Sequence, residues 1–220
     1  MPRARGTATN GIVPMNPVLR TPRTTRLLLV RHAACAPGDR ILLGRTLDPP
    51  LDANGSMQAY AVARRLKAEA PQCVESSPRL RTLQTARAIA AEANCPLRVA
   101  PELDELDFGH WSGRPFSDLE GDEDWRRWNR ERANGRTPAG ITIPGLQAVL
   151  SHYFSDLAEV CAGCTLVLVT HAELIRAALL LALHADPGGW QHYEIAPASV
   201  TRLAMRDGAL MPDSLREAAA

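Results

Sequence analysis

The stretch LLLVRHA, residues 27 to 33, drives four aliphatic residues of strand-forming type straight into Arg31 and His32. A cation and an imidazole are poor company for a buried strand. The pattern returns at residues 166 to 172, LVLVTHA, where a second aliphatic run ends in His171 followed by alanine. In open α/β sheets, ligands gather beyond the carboxyl ends of the strands, where loops and helix N-termini supply donors. If the two strands are neighbours, His32 and His171 face one crevice from distant parts of the chain.

Working outward, strand-like runs occupy Arg26–Arg31, Cys73–Ser76, Leu97–Val99 and Thr165–Thr170, with helix-like segments between them. Helices are expected over Asp52–Ala70, with Met57, Ala61, Val62 and Leu66 facing the sheet, and over Leu80–Glu92, Leu146–Val160 and Ala172–Ala185. The alternation predicts an α/β fold, a three-layer sandwich whose mostly parallel central sheet is flanked by helices. The Asp-Gly signal in ASVTRLAMRDGALM suggests a closing hairpin.

Composition narrows the class. With 220 residues, 45% of them hydrophobic and 22% charged, the chain suits one globular domain, expected over 26–212. A net charge of +1 gives no bias toward nucleic acid or an anionic membrane, so anion recognition must be local. No apolar run approaches the ~20 residues of a membrane span. Residues 1–25 hold several arginines and no acid and read as a disordered basic tail, while 213–220 read as a C-terminal tail. Five cysteines, with no second close pair beside Cys161/Cys164, fit a reduced, cytoplasmic chain. The oligomeric state stays open, a homodimer being one arrangement the sequence permits. Composition shifts over 108–143, a charged segment with Trp125 and Trp128 that reads as a small lid, whose Arg126, Arg127 and Arg130 are expected to touch substrate.

Two further stretches carry chemistry. In SSPRLRTLQTA, residues 76 to 86, a strand ends in small polar residues and Arg81 falls in the first turn of a helix, where an anion relieves the clash between guanidinium and dipole. In ELDELDFGHWSG, residues 102 to 113, the acids Glu102, Asp104, Glu105 and Asp107 precede Phe108 and Trp111, so apolar walls can raise a carboxyl's proton affinity. The set comprises two histidines, two arginines and a carboxylate. Arginine clamps phosphate, a neutral imidazole attacks phosphorus and a carboxylic acid protonates a leaving oxygen. The elbow of serine hydrolases, the zincin helix and the P-loop are all missing, and His110, His152, His184 and His192 read as fillers.

These segments resemble the histidine phosphatase superfamily, also called phosphoglycerate mutase-like, and more closely its small bacterial phosphatase branch. VRHA is similar to its R-H-G signature, GRTLDPPLDANGSMQA to the stretch that follows, SSPRLRTLQTA to S-S-P-x-x-R-x-x-Q-T-A, ELDFGHWSG to E-x-x-F-G-x-W-E-G, and VTHAELIRA to V-T/S-H-G-x-x-I-R. All five occur in family order. The resemblance implies that His32 is the phosphorylated nucleophile, that Arg31, Arg81 and His171 bind the phosphoryl oxygens, and that Glu105 is the general acid and base. It implies hydrolysis of a small phosphate monoester without metal or cofactor. A mutase-type phosphoryl transferase and a non-catalytic phosphate-binding member are the alternatives. Ala33 and Ala172 replace the glycine after each histidine, Ser112 the second acid, and Gly38 an asparagine of mutase-type members.

Overall fold

Six strands form one sheet in the order β3-β2-β4-β1-β5-β6 in this computed structural model, which describes residues 24–38 and 40–213. The basic tail expected over 1–25 lies outside the described residues except for Thr24 and Thr25, as does the C-terminal tail beyond Asp213. Strands β1 (Thr25–Arg31), β2 (Cys73–Ser76), β3 (Leu97–Val99) and β4 (Thr165–Thr170) run parallel, and β5 (Val200–Arg206) with β6 (Ala209–Pro212) add an antiparallel hairpin beside β1. The sheet is thus mixed and mostly parallel.

Alternation along the central strands sends their side chains to opposite faces. Leu28, Val30, Val167 and Val169 join Val62, Leu66 and Ile89 on one side. Leu27, Leu29, Leu166 and Leu168 join Phe154, Ile175 and Ala178 on the other. The first face is covered by α1 (Ala53–Lys67) and α2 (Leu80–Ala93), the second by α5 (Ile143–Val160) and α6 (Ala172–Ala182). In α1 the buried stripe is Gly55, Ala59, Val62, Ala63 and Leu66. Met57 and Ala61, expected to face the sheet, lie on the exposed side, because a stripe of small residues lets α1 sit close.

The charged segment forms two short helices, α3 (Phe116–Glu120) and α4 (Glu123–Arg130). Asp122 caps α4 by accepting from the amides of Asp124 and Trp125. Far from being a surface helix on all sides, α4 buries Trp128 against Trp111 and Phe108, whose rings lie 5.9 and 5.7 Å away.

Gly55 is required by a close approach. A Cβ there would lie 1.8 Å from the Ala34 carbonyl oxygen, on the loop that follows β1. Gly55→Ala should therefore force α1 from that loop and cost about 1–3 kcal/mol, as overpacking does. Thermal unfolding should show a lowered Tm; an unchanged Tm would contradict so tight a contact.

Candidate active site

Parallel pairing of β1 and β4 sets Arg31 opposite Thr170. One residue later the strands end, and the two histidine rings meet edge to face with centroids 5.4 Å apart. His32 is at the end of β1, where its amide donates to the Thr170 carbonyl at 3.0 Å. His171 is the N-terminal cap residue of α6 and is fully buried. Both edges open on one cavity of about 910 Å³, lined among others by Arg31, His32, Arg81 and Glu105.

Hydrogen bonds assign the tautomers. His32 Nδ1 lies 2.9 Å from the Ala33 carbonyl oxygen, which can only accept, so Nδ1 carries the proton and Nε2 keeps a lone pair. For His171, Nε2 lies 2.8 Å from Ser77 Oγ, and that hydroxyl is 3.3 Å from Asp104 Oδ1. The carboxylate takes the hydroxyl proton, so Ser77 Oγ accepts from His171 Nε2–H. The bare Nδ1 of His171 then accepts from Arg81 Nη2 at 3.3 Å. Asp104 is itself gripped by Arg79 through two bonds of 2.7 Å, a bidentate clamp.

The arginines are fixed by backbone carbonyls. Arg81, fully buried, donates to Leu47 and Gly44 at 3.2 and 3.1 Å. Arg31 donates to Ile195 at 2.6 Å. The Nε–H of each is buried without a hydrogen-bond partner among the described residues, a state that costs about 1–3 kcal/mol per group unless an acceptor arrives. Glu105 accepts from the Leu106 amide through Oε1 and holds Oε2 3.4 Å from His171 Nδ1 and 4.0 Å from Arg81.

Burial moves the three titrating groups in different directions. It lowers His32 to about 3, helped by the positive charges of Arg81 and Arg31, and holds His171 well below the ordinary imidazole value with the help of Arg81. It raises Glu105 to about 7 although Arg81 pulls the other way. At neutral pH the imidazoles are uncharged and the carboxyl is near half-protonated.

A model of the histidine phosphatase superfamily (branch 1) matches residues 27–217. The chain belongs to this superfamily. A probable phosphoglycerate mutase of Yersinia enterocolitica is 28% identical over 183 residues, covering 81% of this chain and 84% of the relative. Phosphoserine phosphatase 1 of Hydrogenobacter thermophilus is 29% identical over 163 residues, covering 73% and 77%. Among solved structures, a mutant phosphoserine phosphatase of Entamoeba histolytica in complex with phosphoserine gives a TM-score of 0.77 at 26% identity, covering 86% of this chain and 95% of that one. A mycobacterial glucosyl-3-phosphoglycerate phosphatase gives 0.78 at 24% identity, covering 87% and 98%, a likeness of fold.

Within this histidine phosphatase fold, all five residues singled out from the sequence come together. Of the four neighbouring acids, only Glu105 lines the cavity: Asp104 is taken by Arg79, Asp107 accepts from the Gly109 amide and Glu102 is exposed. His110, His152, His184 and His192 are exposed. Arg126, Arg127 and Arg130 are exposed on the outer face of α4 and do not line the cavity; Trp125 and Arg132 do. The sequence reading missed the residues that hold the site: Thr85 Oγ1 accepts from the Ala33 amide, Gln58 from Ala34, and Gln84 from Leu51, with bonds of 3.1, 2.9 and 2.7 Å. Thr85 and Gln84 stood in the motif SSPRLRTLQTA, and Gln58 in the one before it, so the signal was present without its meaning.

Nitrogen-15 NMR should find both site imidazoles neutral at about pH 5.5, below the ordinary histidine value, with the proton on Nδ1 of His32 and Nε2 of His171. An imidazolium at either position, or the opposite tautomers, would contradict the network.

Proposed function

We propose that this chain is a phosphomonoesterase that hydrolyses a phosphate monoester through a phosphohistidine on His32. The observation that carries the reading is the pairing, across one cavity, of an imidazole with a free Nε2 lone pair and a carboxyl held at about 7. The first is a nucleophile at neutral pH and the second an acid that still has a proton to give. Nε2 attacks phosphorus in line with the ester oxygen; the P–O bond breaks and the alkoxide takes the Glu105 proton. Water then attacks the phosphohistidine, Glu105 takes its proton, and inorganic phosphate leaves with His32 restored. Arg31 and Arg81 meet the charge on the phosphoryl oxygens, with their unpartnered Nε–H groups as donors for such an anion, while His171, whose one N–H goes to Ser77, holds Arg81 through its bare Nδ1.

Because guanidinium groups neutralise the phosphate, the reading requires no metal ion. Among the described residues, no helix is long and apolar enough to cross a membrane. A cytoplasmic setting is part of the proposal, and it suits a chain whose five cysteines are all free thiols. A mutase is the second reading, favoured by the similarity to the Yersinia protein, since the same intermediate can return its phosphoryl group to another hydroxyl. Phosphate release measured against isomerisation of a phosphoglycerate separates the two.

His32→Ala should abolish phosphate release from an alkyl phosphate, and excess chelator should leave the native rate unchanged. Loss in chelator that zinc or magnesium restores would sink the metal-free reading.

The acid role of Glu105 gives a second test, by single turnover. An alkoxide needs a proton as it leaves and a nitrophenolate does not. Phosphorylation by an alkyl phosphate should therefore fall as pH rises through about 7, the value at which Glu105 loses its proton, and phosphorylation by nitrophenyl phosphate should fall far less. Glu105→Gln should cost the alkyl phosphate ~10²-fold or more and the aryl phosphate much less. Equal losses would remove Glu105 from the acid role.

A further inference from the structure

The cavity is larger than phosphate chemistry needs. Its volume of about 910 Å³ lies at the upper end of the roughly 300–1,000 Å³ typical of sites for drug-sized ligands. Beyond Arg31, His32, Arg81 and Glu105, the lining includes a polar group, Arg132, Glu173 and Arg176, and an apolar group, Ile41, Leu42, Phe116 and Trp125.

The polar group is largely committed within the protein. Glu173 bridges the two arginines, accepting from Arg132 Nη1 at 2.9 Å and from Arg176 Nη1 at 3.2 Å. Arg132 gives its other terminal nitrogen to Asn129 and lays its guanidinium over Trp128, 3.4 Å from the ring centroid. Arg176 gives Nε to the Tyr193 carbonyl at 2.8 Å. A substrate carboxylate placed here would sit beside the Glu173 carboxylate, a like-charge contact, against an Arg132 whose two terminal nitrogens are both engaged and whose one unpartnered donor, Nε, is buried. The remaining cation on the outer lining, Arg40, is exposed to water, where an ion pair contributes little.

The apolar group, by contrast, is prebuilt and partly open. Residues 40–42 are stitched to 113–116 by backbone bonds: Leu42 donates to Arg114, Gly113 to Leu42 and Phe116 to Arg40, at 3.0, 2.7 and 2.9 Å. Ile41 bridges Pro115 in the same place. Trp125 is propped behind this wall by Trp111 and Trp128, with ring centroids 5.2 and 5.6 Å away. Ile41, Leu42, Phe116 and Trp125 all keep part of their surface exposed. Rigid apolar surface of this kind binds by excluding water and loses little entropy in doing so.

We propose that the alcohol half of the substrate is a bulky apolar group, best matched by an aromatic ring on a short alkyl chain, seated against Ile41, Leu42, Phe116 and Trp125. This rests on the phosphatase reading and departs from the phosphoserine and 3-phosphoglyceric acid found with related solved structures.

Three esters with alkoxide leaving groups test it: 2-phenylethyl phosphate, phosphoserine and glycerol 3-phosphate. The first should have the highest kcat/KM, by ~10-fold or more, the usual scale of discrimination by an apolar pocket. Phe116→Ala and Ile41→Ser should each pull that ratio toward one. The ratio is measured within one preparation, so partial unfolding of a variant cancels. Phosphoserine or glycerol phosphate turned over as well as the phenylethyl ester would overturn the proposal while leaving a phosphatase in place. If no ester is hydrolysed the phosphatase reading fails, and binding of unreactive phosphonates then decides the pocket's preference: 2-phenylethylphosphonate should bind ~10-fold more tightly than 2-amino-4-phosphonobutanoate. Equal or reversed affinities would overturn the apolar assignment.

Discussion

The parallel pairing of β1 with β4 is the contact on which the rest of the structure depends. Its register ends both strands at one level, with the His32 amide bonded to the Thr170 carbonyl, so that the next side chains on the two strands share one edge. A slip of one residue in either strand would turn that strand's side chains to the opposite face and separate the two histidines. The same strand end positions the acid: Thr170 Oγ1 donates to the Leu103 carbonyl at 2.7 Å, two residues before Glu105. His32, His171 and the Glu105 carboxyl are therefore placed from the ends of the two middle strands, by the β1–β4 ladder and the Thr170 hydroxyl.

Burial at this edge does two kinds of work at once. Removing water disfavours charge, which keeps the imidazoles neutral and raises Glu105 until it is near half-protonated at neutral pH. Arg81 stabilises the Glu105 carboxylate and opposes that effect, yet burial prevails, because the carboxyl ends above its ordinary value. The arrangement sets neutral imidazoles beside a carboxyl that still holds a proton about half of the time at neutral pH, from a single physical cause. Arg79 and Asp104 stand behind it as positioning residues: their bidentate pair fixes Ser77, and Ser77 fixes the ring of His171.

The fold was legible because its signals are local. Aliphatic runs ending in histidine, the alternation of strand and helix, and the Asp-Gly turn each depend on neighbours in sequence, and the four parallel strands fall within a residue of where the pattern placed them. Arg31, His32, Arg81 and His171 were legible for the same reason, each being tied to the end of an element. Glu105 stood out only through the family resemblance, since four acids within six residues cannot be ranked until Arg79 is seen to engage Asp104. Contacts between distant segments were hidden. Arg132 reads as one more charge in a charged stretch, yet it is buried between α6 and the tryptophans, while Arg126, Arg127 and Arg130, chosen for their charge, face water. Helix periodicity could have indicated this: Trp125, Trp128 and Arg132 fall at intervals of three and four.

The central claim is that a backbone carbonyl, Ala33 O, selects which nitrogen of His32 attacks phosphorus. Rapid quenching of the reacting enzyme in alkali, followed by proteolysis and phosphorus NMR of the labelled peptide, tests it directly. The account predicts an acid-labile phosphoryl group on Nε2 of His32. Label on Nδ1, which the carbonyl should keep protonated, or on another side chain such as Cys35 in the same cavity, would contradict it.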